Sequence, residues 1–469
     1  MTQTFYWYDL ETSGIDSRWD RIVQFAGLRT DEHLNELGDA VCSYVALPDD
    51  VLPNPDSSLV TGITPERTRA EGISEWQALG QINALFAAPQ TCVVGYNSLR
   101  FDDEFVRQGL YRTLRDPYAR EWQNGNSRWD LIDLVRATGA LRRDGIEWPI
   151  DEAGLPVYRL ERLTEANGID HGNAHDALSD VRATLGLARL IRDRQPKLFA
   201  YYLGCRQKKQ VRALLEPFGA RLCVHVSGMY PREHFGTAPI VSLCRHPTNS
   251  NSIIVADLSR DVELLVQGSA DEIRESLFRP NNPDRPPLKE VRINRCPFIA
   301  DLAVLDDENW SRLGFDRNAI RERQRRLKQP GIAQKLMRVF TRGRQEPAID
   351  VEAALYDGFL HDADRSRCES LQRVLGTGGW QDLDFADPRL TELATRLKAR
   401  SFPHLLSADE REAWHGFVRD KLGAAEAPWL NLARFRARLT ELQSEHGVSH
   451  PVLSGLAAHA ERLEQEYRL

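Results

Sequence analysis

The 469-residue chain has little that would staple it or anchor it. Its seven cysteines (Cys42, Cys92, Cys205, Cys223, Cys244, Cys296 and Cys368) are scattered, odd in number and form no Cys-x-x-Cys pair. That argues against a disulfide framework or a zinc ribbon and points to a reducing, cytoplasmic setting. No uninterrupted apolar run approaches the roughly 18–20 residues that span a bilayer, so no membrane association is expected. The N-terminus enters an aromatic run at once, with neither a basic nor an apolar leader, so no secretory signal is expected. Internal repeats and low-complexity tracts are also missing. So is an excess of positive charge: the formal net charge is −7, whereas a nucleic-acid enzyme usually carries a basic track. The total decides nothing, because acids in metal sites and helices mask local basic clusters.

What is present is the composition of an ordinary globular protein, 42% hydrophobic and 28% charged, long enough for two or three domains. The first part alternates strand and helix signals. Strands are expected at 5–12, 21–29 and 40–47, joined by short polar turns as an antiparallel meander. Thr64 and Pro65 read as an N-cap and first helical residue. A short buried strand at 92–97 runs into a helix beginning near Phe101, and a long helical pattern covers 176–192, closed by Pro196. From about 197 to 345 short strand-like segments (223–227, 240–244, 252–258) suggest a small β-rich domain with inserted helices. The proline-dense stretch 279–287 reads as a loop. Beyond 346 the pattern is almost wholly helical. The expected divisions are therefore 1–196, 197–345 and 346–469.

Asp9 and Glu11 lie one strand-step apart at the end of the aromatic run. Residues i and i+2 of a strand share a face, so both acids point the same way. Two like charges on a buried element are unfavourable unless a cation lies between them, which makes the pair a metal-site candidate. A third carboxylate is offered by Asp102 or Asp103, at the next strand-to-helix junction. A fourth group is Asn173-Ala-His-Asp-Ala-Leu-Ser-Asp180. His175 and Asp180 on one helix would be separated by roughly 140°. His175 is therefore expected at or before the helix N-terminus, with Asp180 anchored in the helix. Taken singly, these acids also fit a solvated turn or a favourable charge at a helix N-terminus.

In order, Asp-x-Glu, Asn-x3-Phe-Asp and His-x4-Asp resemble the signature of the DEDDh 3′→5′ exonucleases, and Thr61-Gly-Ile-Thr-Pro-Glu66 is similar to a segment typical of that superfamily. More narrowly, Gly95-Tyr-Asn-Ser-Leu-Arg-Phe-Asp-Asp-Glu104, Asn126-Ser-Arg-Trp-Asp-Leu131, Ala166-Asn-Gly-Ile-Asp170, His225-Val-Ser-Gly-Met229 and Leu355-Tyr-Asp-Gly-Phe-Leu-His-Asp-Ala-Asp364 resemble the bacterial exonuclease I family. The resemblance covers essentially the whole chain. It implies an α/β ribonuclease H-like nuclease domain, a β-rich SH3-like domain and an all-helical C-terminal domain, arranged as a C around single-stranded DNA. It implies that Asp9, Glu11, Asp102 and Asp180 bind two Mg2+ ions, with Mn2+ substituting, and that His175 is the general base. It selects Asp102 over Asp103 and Asp180 over Asp176. The tyrosine variant of the superfamily is disfavoured, because Asp176 stands where it would place tyrosine.

The implied activity is processive 3′→5′ degradation of single-stranded DNA to 5′-mononucleotides, in repair and recombination, by a monomer. An RNA-trimming relative and a non-cleaving single-stranded DNA clamp are the alternatives. Substrate contacts are expected from Glu11, Thr12, Arg159 and Arg128 with Trp129. Leu10, Tyr96, Phe101, Arg100, Lys208, Lys209 and Arg212 are further candidates, against core packing or ordinary surface charge. The family also implies a partner, the acidic C-terminal tail of single-stranded DNA-binding protein, and local matching carries parts of its pocket onto Arg142, Tyr201 and Arg221. The segment 299–307 departs from the family by placing acids where polar or basic residues are expected. The run 321–328 is the densest positive cluster and reads as a solvated helix face, a DNA track or a partner site.

Overall fold

The computed structural model describes residues 3–170, 176–341 and 347–469. The chain forms two compact units. One comprises Met1–Ser127, Gly172–Arg182 and Glu346–Leu469; the other comprises Arg128–His171 and Ala183–Gln345. The final helices therefore belong to the same unit as the first strands, a grouping by packing that differs from the sequence order.

In the first unit β1 (Thr4–Thr12), β2 (Ile22–Thr30), β3 (Glu36–Tyr44) and β4 (Thr91–Gly95) run in the order β3-β2-β1-β4. β1, β2 and β3 form the expected antiparallel meander, and β4 pairs with β1 in parallel. β1 lies between two strands and is covered on both faces, which is why its sequence is almost continuously aromatic. Tyr6, Tyr8 and Leu10 pack with Leu79, Ile82 and Phe86 of the helix Glu75–Ala87 and with Phe105, Val106 and Leu110 of the helix Asp102–Arg112. The alternate residues Trp7, Asp9 and Glu11 face the other way.

β3 begins four residues earlier than its hydrophobic pattern suggests and ends at Tyr44. Its first four residues are exposed at the sheet edge, so they carry no alternation that a sequence reader could detect. Thr64 caps the helix Pro65–Glu71 with Pro65 in its first turn, as expected. A preceding helix, Pro55–Thr61, was not anticipated. Its signals are nonetheless orthodox: Asn54 as N-cap, Pro55 in the first turn, and Gly62 left-handed (φ 68°) at the C-terminus. The long helix spans Ala177–Arg194, and Pro196 does not only close it but opens the next helix, Pro196–Gly204. In the C-terminal part helices such as Asp362–Gly376, Pro388–Ser401 and Pro451–Tyr467 dominate, with no strand among the described residues.

β5 (Ser127–Asp130) straddles the division between the units. The second unit carries an antiparallel sheet of β6 (Leu222–Val226), β7 (Thr237–Arg245), β8 (Ser252–Asp257), β9 (Leu288–Arg292) and β10 (Phe298–Asp301), in the order β10-β6-β7-β8-β9. Helices are inserted between β8 and β9, and 279–287 contains no helix or strand, as its prolines require. Among the described residues no helix is long and apolar enough to cross a membrane.

Candidate active site

Asp9 and Glu11 sit on β1 opposite Ala26 and Gln24, just before a bulge between Glu11 and Thr12. Asp180 lies in the first turn of the helix Ala177–Arg194, and carboxylate oxygens of Asp9, Glu11 and Asp180 lie within 4.8 Å of one another. Asp102 opens its own helix and is 5% exposed. Burial pushes the Asp9 carboxyl well above its ordinary range, and Asp102, Glu11 and Asp180 push it further. Burial pushes Glu11 up to about 8, reinforced by Asp180, Asp102 and Asp176. Among the described residues, the charged neighbours that shift Asp9 and Glu11 are all acids.

Hard oxygen donors of one sign, gathered here from buried Glu11 and Asp102 and half-buried Asp9 and Asp180, are the donor set of a hard divalent cation. Without one, part of the cluster must hold protons. The residues present thus fit a divalent metal: Asp9, Glu11 and Asp180 converge, and Asp102 is near enough for its charge to raise Asp9 and Glu11. His175 lies outside the described residues. Asp176 accepts from the Ser179 N–H at 3.3 Å and hydroxyl at 3.2 Å, which caps the helix start below Asp180.

Asp103 is separated from its neighbour by its partners: Arg120 donates to it at 2.6 Å and Arg107 lies at 3.2 Å. Arg120, fully buried, is a residue that sequence reasoning missed, and no local pattern marks it.

The expected DNA contacts fare differently. Trp129 is 0% exposed, with its ring 5.2 Å from Phe199 and 5.5 Å from Tyr202, so the expectation of a base-stacking Trp129 is corrected to a core residue. Arg128 is also buried and donates to the Asn294 carbonyl at 3.4 Å, so the pair forms no surface platform. A strand with alternating charge and aromatic looks the same in sequence whether its aromatic face is open or covered. Leu10 is core, and Phe101 packs against that core. The Thr12 hydroxyl donates to the Gly14 carbonyl at 2.7 Å, serving the turn after β1. Arg159 and Arg100 are exposed, as are Lys208 and Lys209.

Arg142 donates to Asn309 at 3.1 Å and to the Val304 carbonyl at 2.9 Å, and Tyr201 donates to the Ile299 carbonyl at 2.7 Å. Arg221 is exposed. Beside β6 and β10, a cavity of about 460 Å³ is lined by Leu222, Asp301, Leu305, Trp310, Arg317 and Arg321 among others. The unexpected acids there have structural work: Asp301 accepts from the Ala303 N–H at 2.9 Å, and Asp306 forms a capping box with Asn309. In the basic run, Arg326 pairs with Glu263 and Arg325 with Glu322, so part of that charge is neutralised internally.

Family models match along the chain: Exonuclease over 6–188, Exonuclease I SH3-like domain over 206–342 and Exonuclease I C-terminal domain over 349–463. Exodeoxyribonuclease I of Haemophilus influenzae is 39% identical over 463 residues, covering 96% of each chain. The chain belongs to the exonuclease I family. As a member it is a nuclease with an exonuclease domain followed by SH3-like and helical C-terminal domains, and its exonuclease domain implies dependence on a divalent metal that the acidic cluster can hold. The structure of Escherichia coli exonuclease I in complex with a dA16 oligonucleotide superposes with a TM-score of 0.93 at 37% identity, covering 99% of this chain and 100% of that one. A structure of SSB/exonuclease I in complex with the inhibitor CFAM gives a TM-score of 0.89 at 36% identity, covering 100% and 99%.

Proposed function

We propose that the protein degrades single-stranded DNA processively from its 3′ end, releasing 5′-mononucleotides, with Asp9, Glu11, Asp102 and Asp180 holding two divalent ions. The convergence of these four acids in the domain matched by the exonuclease model carries the reading. Bound there, magnesium, or manganese in its place, would relieve charge on the scissile phosphate and lower the pKa of a water. Asp9 and Glu11 are held on a central strand, and Asp102 and Asp180 on helix starts, so the donors are presented by rigid elements. His175, before the helix of Asp180, takes the proton from the attacking water, a role suited to a group titrating near neutrality. In-line attack on the terminal phosphodiester then expels the 3′-oxygen of the preceding nucleotide. Among the basic residues, the exposed Arg159 and Arg100 are candidate backbone contacts.

The domain limits are placed near 196 and 345. The acidic tail of single-stranded DNA-binding protein is the proposed partner, supported by the arginine-lined cavity beside β6 and by the SSB/exonuclease I relative. A cytoplasmic monomer acting in repair and recombination completes the reading.

The test uses oligonucleotides labelled at one end and blocked at either the 3′ or the 5′ end, with Mg2+ or EDTA, as DNA and as RNA. Magnesium-dependent mononucleotide release from DNA with a free 3′ end is expected, and none from the 3′-blocked strand. Preference for RNA would favour a trimming enzyme, and binding without release a clamp; either result overturns the proposal.

A further inference from the structure

Two residues beyond Glu11, every backbone polar group of Ser13 is taken by a neighbouring segment. Its N–H donates to the Arg21 carbonyl at 2.8 Å, its hydroxyl oxygen accepts from the Arg21 N–H at 2.9 Å, and its carbonyl accepts from the Asn54 N–H at 2.6 Å. This clasp follows the bulge between Glu11 and Thr12, where the regular ladder no longer fixes the strand end.

Both partners of Ser13 are moored to the C-terminal helices by buried charge. The Arg21 guanidinium donates to Glu352 at 2.5 Å, and the two side chains are 1% and 0% exposed. Glu352 also accepts from Arg396 at 3.1 Å and Arg400 at 2.5 Å. Four residues before Asn54, Asp50 accepts from Arg400 at 2.9 and 2.5 Å and from Lys421 at 2.6 Å. Arg400 thus joins the two acids. Burial alone would raise both carboxyls, but Arg400 and its cationic neighbours hold them below the usual carboxylate range.

Well-packed apolar side chains of equal volume often give as much stability as a buried ion cluster, so the cluster is weak evidence for a role in stability alone. What it has that an apolar core lacks is direction. One arm reaches Ser13 through Arg21, the other through the 50–54 segment.

We propose that Glu352 and Asp50 are positioning residues, which fix Ser13 through Arg21 and Asn54 and thereby hold the end of β1 that presents Glu11. This rests on reading Glu11 as a metal ligand. The helical C-terminal domain then acts on the metal site as well as on whatever it binds itself.

The test measures Mn2+ binding to the full-length protein without DNA, counting free ion by electron paramagnetic resonance. Glu352→Gln and Ser13→Ala, each checked for native fold by circular dichroism, are expected to weaken Mn2+ binding roughly tenfold, the scale of a lost outer-shell support. Affinity for a single-stranded oligonucleotide in EDTA should stay at the wild-type value. Ser13→Ala leaves every buried ion pair intact, so it decides the outcome if Glu352→Gln does not fold. Wild-type Mn2+ affinity in either folded variant overturns the positioning role. Glu11→Gln, measured alongside, separates the two possible failures. If it too binds Mn2+ normally, the metal-ligand reading falls and the proposal with it; if it weakens binding while Ser13→Ala does not, only the positioning role falls.

Discussion

Arg120 donates to Asp103 at 2.6 Å in an ion pair whose side chains are 0% and 1% exposed. One residue earlier, Asp102 instead adds its charge to Asp9 and Glu11. Adjacent, chemically identical side chains are thus divided between a structural pair and the acidic cluster. Asp103→Asn should cost about 3–5 kcal/mol of stability, as removal of one partner strands a buried charge. Asp102→Asn should abolish nucleotide release yet leave the metal-free protein at least as stable, since it relieves like-charge repulsion. Chemical denaturation and a single-stranded DNA digestion on both variants check the division; equal destabilisation would contradict it.

A divalent ion should stabilise the protein because it binds only where the acids are assembled. At a hundredfold excess over its dissociation constant it adds about 2.7 kcal/mol. Melting in EDTA and in Mg2+, with sodium chloride matched for ionic strength, measures this. Asp180→Asn should reduce the Mg2+-induced rise in Tm, and the salt control should show none.

His459 is buried in the helix Pro451–Tyr467, and burial, reinforced by Arg462, lowers its pKa to about 4. A lowered value means the folded state resists protonation. Its contribution is complete above the unfolded value of about 6.5 and is lost as pH falls towards 4, amounting to roughly 3 kcal/mol over that window. The difference in stability between wild type and His459→Gln, followed by denaturant melts from pH 8 to pH 4, should therefore shift steadily in favour of the variant as pH falls. A constant difference would remove the histidine from the account.

Arg142→Glu should weaken binding of an acidic C-terminal tail peptide more than it slows hydrolysis of naked DNA. The same change at Arg321, which lines the cavity beside β6, should act alike. Fluorescence anisotropy with a labelled peptide, set against digestion rates, distinguishes a partner site from a DNA track.

Much of the first unit is legible because its signals are local. Thr64 with Pro65 marks a helix start, and the two-residue spacing of Asp9 and Glu11 fixes a shared face; in the second unit the prolines of 279–287 forbid pairing just as locally. Asp9, Glu11 and Asp180 come together because the first two lie near the end of a strand and the third lies in the first turn of a helix. What sequence hides is partnership across distance and the covering of a face. Nothing near Arg21 announces Glu352, 331 positions away. Nothing in Arg128-Trp129 says that Phe199 and Tyr202 will close over the indole. The acids at 301 and 306 look like an altered binding surface until they are seen as N-caps.

The shared packing of the first strands and the last helices has a consequence for synthesis. As the chain leaves the ribosome from its N-terminus, the second unit is complete before Glu352, Arg400 and Lys421, the C-terminal partners of Arg21 and Asp50, have been made. The buried carboxylate of Asp50 must wait for Arg400 and Lys421, 350 and 371 positions further along the chain. A product cut short before Glu352 would therefore carry Asp9, Glu11, Asp102 and Asp180 without the ion pairs that tie Arg21 and Asp50 to the C-terminal helices.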